Sequence, residues 1–312
     1  MRVVAALGGN ALLRRGESQE EDAQRHNVRE AVRALAVLAR DHELIVTHGN
    51  GPQVGLLALA SEAYREVKPY ALDVLGAESQ GMIGYLLAEA LHDALPGRQV
   101  ASLLTQVVVA HDDPAFAHPT KFIGPVYDQS EAQRLAEERG WSVAADGDHW
   151  RRVVPSPEPQ AIVESPTIAL LVDAWVLVIC AGGGGVPVVV SPDGATHGVE
   201  AVVDKDLTAA LLAQQLNADA LLLLTDVPAV MTGWGTDDER PIAAASPEML
   251  RALEFTPGSM APKVEAACRF AEQSGGTAHI GALEDAASIV AGITGTLVSL
   301  ARDGLEWWEP RD

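Results

Sequence analysis

Short apolar runs alternate with segments of helical periodicity along this chain, and the alternation constrains its fold more than any other feature. Several runs are apolar at successive positions, which is typical of strands buried on both faces of a parallel sheet. The runs are 3–7, 44–47, 100–110, 176–180, 186–190, 220–225, 278–280 and 296–300. The helical segments are 24–40, 52–64, 77–95, 160–171, 207–216, 247–253, 262–274 and 284–290. The pattern predicts an α/β layered sandwich.

Residues 111–157 interrupt this rhythm with five prolines, two tryptophans and many charges. We interpret the segment as an excursion from the sheet that forms a small lid or flap, because long irregular insertions in compact domains are more often functional than not. A surface loop without a role is the alternative. The apolar stretch 174–190 contains four glycines and a proline, so it predicts two strands around a loop rather than a membrane span. A domain boundary is expected near 170–180.

The charge balance excludes several classes of partner. Lys and Arg number 22 against 43 Asp and Glu, a net charge of −21. Affinity for nucleic acid and for anionic lipid depends on Lys and Arg that neutralise phosphates, so neither is an expected partner. The two cysteines form no disulfide scaffold or zinc motif, and no secretory signal is visible at the N terminus. A soluble, cytoplasmic protein is expected.

Three glycine-rich segments follow predicted strands: 6–10, 47–55 and 182–185. Glycine lets backbone N–H groups approach a ligand closely, and a helix N terminus adds partial positive charge. A single glycine pair is usually only a tight turn, but three such loops favour an anion site at one sheet edge. The P-loop motif is absent, and 49–55 misses the dinucleotide-binding spacing by one residue.

Three of the four lysines in the chain lie in unusual contexts. Lys121 lies inside the proposed flap, Lys205 lies between two aspartates at a predicted helix start, and Lys263 follows a proline at another. A solvated surface charge is the default interpretation of a lysine, and we keep it for Lys68. The other three are candidates to contact a phosphoryl group, since a lysine ammonium is a compact point charge.

Acidic residues accompany these lysines. Asp204 and Asp206 flank Lys205, where they could cap a helix or hold lysines in place. Thr225 and Asp226 end an apolar run, which is the usual ligand-facing position in an α/β sheet and is otherwise a turn. The histidines show no zinc-binding spacing, so no protein-bound metal site is predicted.

Taken together, these motifs resemble the carbamate kinases, a group within the amino-acid kinase family. The resemblance runs from residue 3 to about 300, with the motifs in family order. It is carried by 6–12 (ALGGNAL), 47–55 (THGNGPQVG), 73–85 (DVLGAESQGMIGY), 119–125 (PTKFIGP), 150–159 (WRRVVPSPEP), 181–189 (AGGGGVPVV), 202–206 (VVDKD) and 258–266 (GSMAPKVEA). Acetylglutamate kinases carry a lysine two residues before the Gly-Gly pair, where this chain has Ala6, and Lys121 is expected to supply that charge.

The resemblance implies an open αβα sandwich with a mainly parallel sheet and a small protruding subdomain. Residues 1–175, with the flap at 111–157, would bind the phosphoryl acceptor, and residues 176–312 the nucleotide. The implied catalytic residues are Lys121, Lys205, Asp206 and Lys263. The implied acceptor-binding residues are Gly8, Gly9, Asn10, Gly49, Asn50 and Gly51. The implied nucleotide-binding residues are Gly182, Gly183, Gly184, Gly185, Lys205, Thr225, Asp226, Met260 and Lys263.

The implied reaction is reversible phosphoryl transfer between ATP and carbamate by direct in-line displacement, running toward ATP in arginine or related nitrogen catabolism. ATP or ADP, carbamate and carbamoyl phosphate are the expected small-molecule partners, Mg²⁺ is expected to be held mainly by phosphates and water, and a homodimer is expected. The alternatives are a related kinase with another acceptor, such as acetylglutamate, and a non-catalytic nucleotide sensor. Segment 228–234 follows the family pattern only loosely, which leaves the adenine contacts open.

Overall fold

The computed structural model describes residues 1–14, 17, 20–255 and 259–309, and for Asn10 it describes the backbone alone. The helices are α1 (Glu21–Ala39), α2 (Gly51–Ala63), α3 (Leu72–Ala94), α4 (Gln129–Arg139), α5 (Ser165–Asp173), α6 (Lys205–Gln215), α7 (Pro247–Arg251), α8 (Met260–Ser274) and α9 (Ala286–Val290). The strands in the first half are β1 (Arg2–Leu7), β2 (Glu43–His48), β3 (Val100–Ser102), β4 (Gln106–Val109), β5 (Lys121–Tyr127), β6 (Ser142–Asp146), β7 (His149–Val154) and β8 (Pro159–Ile162). Those that follow are β9 (Leu177–Ile179), β10 (Val186–Val190), β11 (Thr196–Gly198), β12 (Ala220–Thr225), β13 (Met231–Thr232), β14 (Arg240–Ala245), β15 (Thr277–Ala282), β16 (Thr296–Val298) and β17 (Leu305–Trp307).

The central sheet has the order β13-β14-β16-β15-β12-β1-β2-β9-β3, and β17 pairs with β14. The six strands from β15 to β3 run parallel to their neighbours, while β16 pairs antiparallel with β15. The prediction of a mainly parallel sheet is therefore confirmed. The predicted division at 175/176 falls just before β9, which lies between β2 and β3, and the assignment of the two halves stays a prediction.

Alternate residues of the central strands bury opposite faces of this sheet. On β1, Val3, Ala5 and Leu7 contact the layer that contains α1, α3 and α9. Val4 and Ala6 contact the layer of α5, α6 and α8. Both sets are fully buried, which is why the strand is apolar at every position. The αβα sandwich inferred from the sequence is confirmed.

The flap at 111–157 has a sheet of its own, with strand order β5-β7-β6 and helix α4. A further sheet has the order β11-β10-β4-β8. The stretch 174–190 forms β9 and β10 around a loop, as predicted. No helix in the described parts of the chain is long and apolar enough to cross a membrane.

Two predicted elements are wrong. The run 100–110 is not one strand but β3 and β4, which belong to different sheets. Thr105 lies between them and makes hydrogen bonds outside both strands: its N–H donates to Gln80 Oε1 (3.0 Å), and its Oγ1 accepts from the backbone N–H of Ala181 (2.9 Å). The helix predicted over 160–171 is instead β8 followed by α5. Pro166 fits only the first turn of a helix, so the helix begins there.

Candidate active site

The glycine motifs meet at the carboxyl-terminal edge of the parallel strands. The Gly8 N–H donates to the Leu224 carbonyl (3.0 Å), and the Gly49 N–H donates to the Leu7 carbonyl (3.1 Å). The ladder of β12, β1 and β2 therefore continues one residue into each loop. Parallel strands bring these loops together because all of them end at the same edge.

Gly49 lies where the loop after β2 comes close to the loop after β1 and to Lys205. A Cβ atom on Gly49 would lie 3.1 Å from Gly9 N and 3.5 Å from Lys205 Cδ. Gly9 begins a short 3₁₀ turn and Gly51 begins α2, and a Cβ on either would meet nothing within 4 Å. First-turn N–H groups have no intrahelical partner, so these positions suit an anion. The predicted role of the Asn10 side chain lies outside the described residues.

Asn50 is buried and oriented by α3. Its Nδ2 donates to Ser79 Oγ (2.7 Å), and the Ser79 hydroxyl donates to the Gly76 carbonyl (2.7 Å). Asn50 also precedes the first residue of α2. The side chain is therefore fixed by a hydrogen-bond chain that the glycine motif alone did not predict.

Lys205, Asp206 and Lys263, which we call the buried cluster, form two ion pairs that share one carboxylate. Lys205 Nζ lies 2.5 Å from Asp206 Oδ1, and Lys263 Nζ lies 3.1 Å from Asp206 Oδ2. The Lys205 and Lys263 side chains are 13% and 12% exposed. Lys205 opens α6 and Lys263 lies in the first turn of α8, so two helix N termini add partial positive charge to the cluster.

The charges of the buried cluster shift the pKa values within it. Burial by itself would raise the pKa of Asp206, but the charges of Lys205 and Lys263 outweigh burial and lower this pKa to about 2. Burial lowers the pKa of Lys205 from its ordinary value, Asp206 opposes that shift, and the neighbouring Lys263 charge adds to it. A dianionic ligand at this point would favour the charged form of Lys205.

Lys121 and Asp204, which we call the flap pair, connect the flap to the body of the protein. Lys121 Nζ donates to Asp204 Oδ2 at 2.7 Å. The Lys121 side chain is 33% exposed, against 14% for that of Asp204. Because Asp204 directly precedes Lys205, the flap lysine reaches the edge of the buried cluster.

The loop Gly182–Gly185 packs against the two motifs that build the site. A Cβ on Gly182 would lie 2.4 Å from the His48 ring, and one on Gly183 would lie 2.2 Å from Asn50 Nδ2. The N–H groups of Gly184 and Gly185 donate within the loop, to Ala181 O and Gly182 O. These contacts make the loop a packing element between the strand ends, and its predicted contact with nucleotide stays a prediction.

His48 lies beneath this loop at the end of β2 and is 1% exposed. Burial lowers the pKa of His48 to about 4, although its bond to the Gly49 carbonyl opposes the shift. The imidazole is therefore neutral near pH 7. It can orient the loop, but it is not a charged phosphate contact.

A cavity of about 230 Å³ opens beside the buried cluster. Its lining includes Lys263 and three residues predicted for the nucleotide: Thr225, Asp226 and Met260. The lining also contains the large apolar side chains of Met231, Trp234 and Phe255 and the carboxylate of Glu254. The described lining contains none of the four glycines of the loop, and Gly258, which opens the motif at 258–266, lies outside the described residues.

The sequence interpretation named Lys121 and Asp204 as candidates but did not pair them, and it named neither Trp234 nor Phe255 as an individual site residue. The Lys121 ion pair with Asp204 joins residues 83 positions apart, and no local pattern signals it. Trp234 lies between two glycines in segment 228–235, so an exposed aromatic in a glycine-rich loop was a usable signal for the cavity. Phe255 had no such signal.

Within the described ranges, no group of three His, Cys, Asp or Glu side chains could hold a metal ion. Both aspartates near the lysines already accept from ammonium groups. Around Lys121, Lys205 and Lys263, the described residues present ammonium groups that are paired with carboxylates. Such a site suits a ligand with several phosphate oxygens that bring their own metal ion.

Comparison with known proteins supports the same interpretation. A family model described as the amino acid kinase family matches residues 1–282. The carbamate kinase of Rhizobium meliloti is 50% identical over 310 residues, covering 98% of this chain and 96% of that protein. The carbamate kinase of Haemophilus influenzae is 50% identical over 309 residues, covering 99% and 100%. The structure of the Giardia lamblia carbamate kinase bound to AMP-PNP superposes with a TM-score of 0.88 at 39% identity, covering 96% and 98%.

Proposed function

The chain belongs to the amino acid kinase family and, within it, to the carbamate kinases; on that premise we propose that its site transfers a phosphoryl group between ATP and carbamate through the three lysines. The observation that carries the proposal is the buried cluster, which holds two ammonium groups between the glycine motifs and the cavity. ATP + carbamate ⇌ ADP + carbamoyl phosphate is the reaction.

The nucleotide is proposed to occupy the cavity lined by Met231, Trp234 and Phe255, with its phosphates toward Lys263 and Lys205. A relative 39% identical to this chain is described as bound to AMP-PNP, which supports a nucleotide here. Thr225 and Asp226 line the same cavity and suit contacts to the sugar or the phosphates. Carbamate is proposed to lie across the cluster, near Gly9, Gly49 and Gly51.

Transfer is proposed to be direct and in line, without a phosphoenzyme. Carbamate is already an oxyanion and needs no general base. We assign no such role to His48, which is buried. The barrier is then charge repulsion and alignment, which the lysines and the first-turn N–H groups reduce. Each ammonium has a carboxylate partner that fixes it before the substrates arrive.

Mg²⁺ is proposed to enter on the nucleotide phosphates and to neutralise part of their charge. Asp204 and Asp206 are engaged by lysines, which argues against either as a direct magnesium ligand. The family resemblance supports net flux toward ATP, with carbamoyl phosphate supplied by arginine or related nitrogen catabolism. Since ATP and these metabolites are cytoplasmic, we propose that location as well.

One assay tests the reaction. Purified protein is given ADP, Mg²⁺ and carbamoyl phosphate, and ATP formation is followed beside a parallel assay of acetylglutamate phosphorylation. ATP formation with no acetylglutamate turnover is expected. Turnover of acetylglutamate would favour the related kinase, and nucleotide binding without either reaction would favour a sensor.

We also propose a homodimer, because large apolar side chains lie exposed on α2 and α3. Leu56 and Leu59 are one turn apart on α2, and Val74, Met82 and Tyr85 lie toward one side of α3. Large apolar side chains exposed in number on neighbouring helices are typical of protein interfaces. Light scattering is expected to give twice the 32.9 kDa chain mass. Tyr85→Glu is expected to shift the mass toward one chain, and a monomeric wild type would contradict the proposal.

A further inference from the structure

Asp204 divides its two carboxylate oxygens between two different tasks. Oδ1 accepts from the N–H groups of Asp206 (2.9 Å) and Leu207 (3.3 Å), which makes Asp204 the N-cap of α6. Oδ2 accepts from Lys121 Nζ at 2.7 Å. The cap fixes the carboxylate on the body of the protein, so the second oxygen presents a stationary anion to the flap.

Apolar packing of Ile123 and Val154 on α2 and α3 and two further ion pairs also connect the flap to the body. Arg152 on β7 pairs with Glu200 (3.2 Å), and Arg139 on α4 pairs with Glu62 on α2. These four residues line a groove between the flap and the α2–α3 region that contains no residue of the buried cluster in its described lining. Among the described ion pairs between flap and body, the flap pair is therefore the one that reaches the phosphoryl site.

The charge count around the site shows why this anion matters. Three lysines face two aspartates, so the flap pair and the buried cluster together carry a net charge of +1. Without the Asp204 carboxylate, Lys121 would approach Lys205 and Lys263 with only Asp206 between three ammonium groups. Like charges repel, and partial burial weakens the screening of this repulsion by solvent. We therefore expect the flap lysine to lie farther from the cluster when the Asp204 charge is removed.

We propose that Asp204 is a positioning residue that holds Lys121, and with it the flap, at the site before substrates bind. The transferring phosphoryl group then competes with Asp204 for the Lys121 ammonium. This inference rests on the proposed function, since it assigns Asp204 a role in the same reaction. It adds to Lys205, Asp206 and Lys263 a residue that acts through the flap lysine.

The substitution Asp204→Asn separates the two tasks, because asparagine caps helices as well as aspartate does but carries no charge. We expect kcat/KM for carbamoyl phosphate to fall on the order of 10- to 100-fold, since a misplacement of about 1 Å in an aligned group can cost about 10² in rate. Asp128→Asn is the matched control. Asp128 caps α4 in the same way but has no lysine partner among its described contacts, so less than a twofold change is expected there.

Flap position is measured separately, in the protein without substrates. Gln133 on α4 and Gln215 on α6 are exposed and can be replaced by cysteine and spin-labelled, while Cys180 and Cys268 are buried and should not react. The distance distribution between the labels is expected to be narrow in the wild type and broader or longer in Asp204→Asn. Lys121→Gln removes the same ion pair from the flap side, leaves the α6 cap intact, and should broaden the distribution equally.

A double-mutant cycle completes the test. If Asp204 acts through Lys121, adding Asp204→Asn to Lys121→Ala should change kcat/KM by less than about twofold, because interacting residues are not additive. Additive losses, or an unchanged label distance in both Asp204→Asn and Lys121→Gln, would overturn the role of Asp204. A wild type that forms no ATP from carbamoyl phosphate would overturn the proposed function instead, while the label distances would still decide whether Asp204 holds the flap.

Discussion

The buried cluster and the flap pair both join ammonium groups to aspartate, but in opposite mechanical settings. The buried cluster lies on α6, which carries Lys205 and Asp206, and on α8, which carries Lys263. These two helices pack on the central sheet and on each other. Lys121 belongs to a separate three-stranded sheet, and its side chain is about a third exposed. The buried cluster is preorganised by the core, whereas the Lys121 side chain is partly exposed and its ammonium has one described ion-pair partner, Asp204.

Under the proposed function, this difference predicts different roles for the buried cluster and the flap pair. A rigid, desolvated cluster stabilises developing charge because it needs no reorganisation when the reaction occurs. A partly exposed lysine on a small subdomain can follow the substrates in and release the products. If the two parts differ in this way, substitutions in the rigid part should cost more than substitutions in the flap.

Lys205→Ala is expected to cause the largest loss, at least 10²–10³-fold in the rate of transfer, by analogy with removal of one preorganised donor. The physical reason is that the variant removes a buried charge and leaves Asp206 with Lys263 alone. Steady-state ATP formation measures it. Lys68→Ala is the matched control, because Lys68 is exposed and lies outside the site, and it should retain wild-type turnover. Near-normal turnover of Lys205→Ala would remove the distinction between the two parts.

Gly183→Ala tests whether the glycine loop keeps the rigid part in place. The φ of +66° at Gly183 strains any other residue, and the new Cβ would lie 2.2–2.4 Å from the Asn50 side chain. We expect a loss of about 2–4 kcal/mol in unfolding free energy, of which about 1 is backbone strain and the rest overpacking. Urea denaturation measures this.

Gly194→Ala is the control for that prediction. Gly194 has φ +86°, but a Cβ on this residue would meet nothing within 4 Å, so only the strain of about 1 kcal/mol is expected. Equal losses in the two variants would mean that the packing against Asn50 does not matter.

Lys121→Ala is expected to lower kcat on the order of 10- to 100-fold, less than Lys205→Ala, because an exposed charge is screened and aligned less well. The KM for ADP should stay near its wild-type value, since Lys121 is not part of the cavity lining among the described residues. Lys263→Ala should raise that KM, because Lys263 lines the cavity. A rise in the KM for ADP equal to that of Lys263→Ala would place both lysines on the nucleotide and contradict the comparison.

The pH dependence of stability gives the smallest effect. The pKa of Asp206 is about 2 in the folded protein against an ordinary value of 3.8, so its ionised form stabilises the fold above pH 3.8. That contribution, on the order of 2 kcal/mol from the shift, is lost as pH falls through 3.8 toward 2. The difference in unfolding free energy between the wild type and Asp206→Asn should be constant above pH 5 and smaller at pH 3. A difference that does not change with pH would mean that Asp206 is not held ionised by its lysines.

Local sequence patterns predicted much of the fold because a strand that is buried on both faces is apolar at nearly every position. The runs 3–7, 44–47 and 220–225 are apolar at nearly every position and form β1, β2 and β12 at the centre of the sheet. The same kind of pattern was ambiguous at 100–110, where Thr105 lies between two strands and bonds to Gln80 and Ala181. Periodicity reports whether a residue is buried, but not which sheet buries it.

In the candidate site, the sequence likewise identified individual charged residues but not the contacts between them. Sequence context separated Lys121, Lys205 and Lys263 from Lys68, because glycine, proline and aspartate beside a lysine are unusual for a solvated helix face. The partners of these lysines were decided by tertiary structure: Asp204 is 83 residues from Lys121, and Asp206 is 57 residues from Lys263. The close approach of Gly183 to Asn50 likewise depends on how two strand ends meet. Residue type and local spacing determined which groups could carry charge, and only the packing of the parallel strands decided which of those charges meet, because an ion pair depends on distance in space and not on distance along the chain.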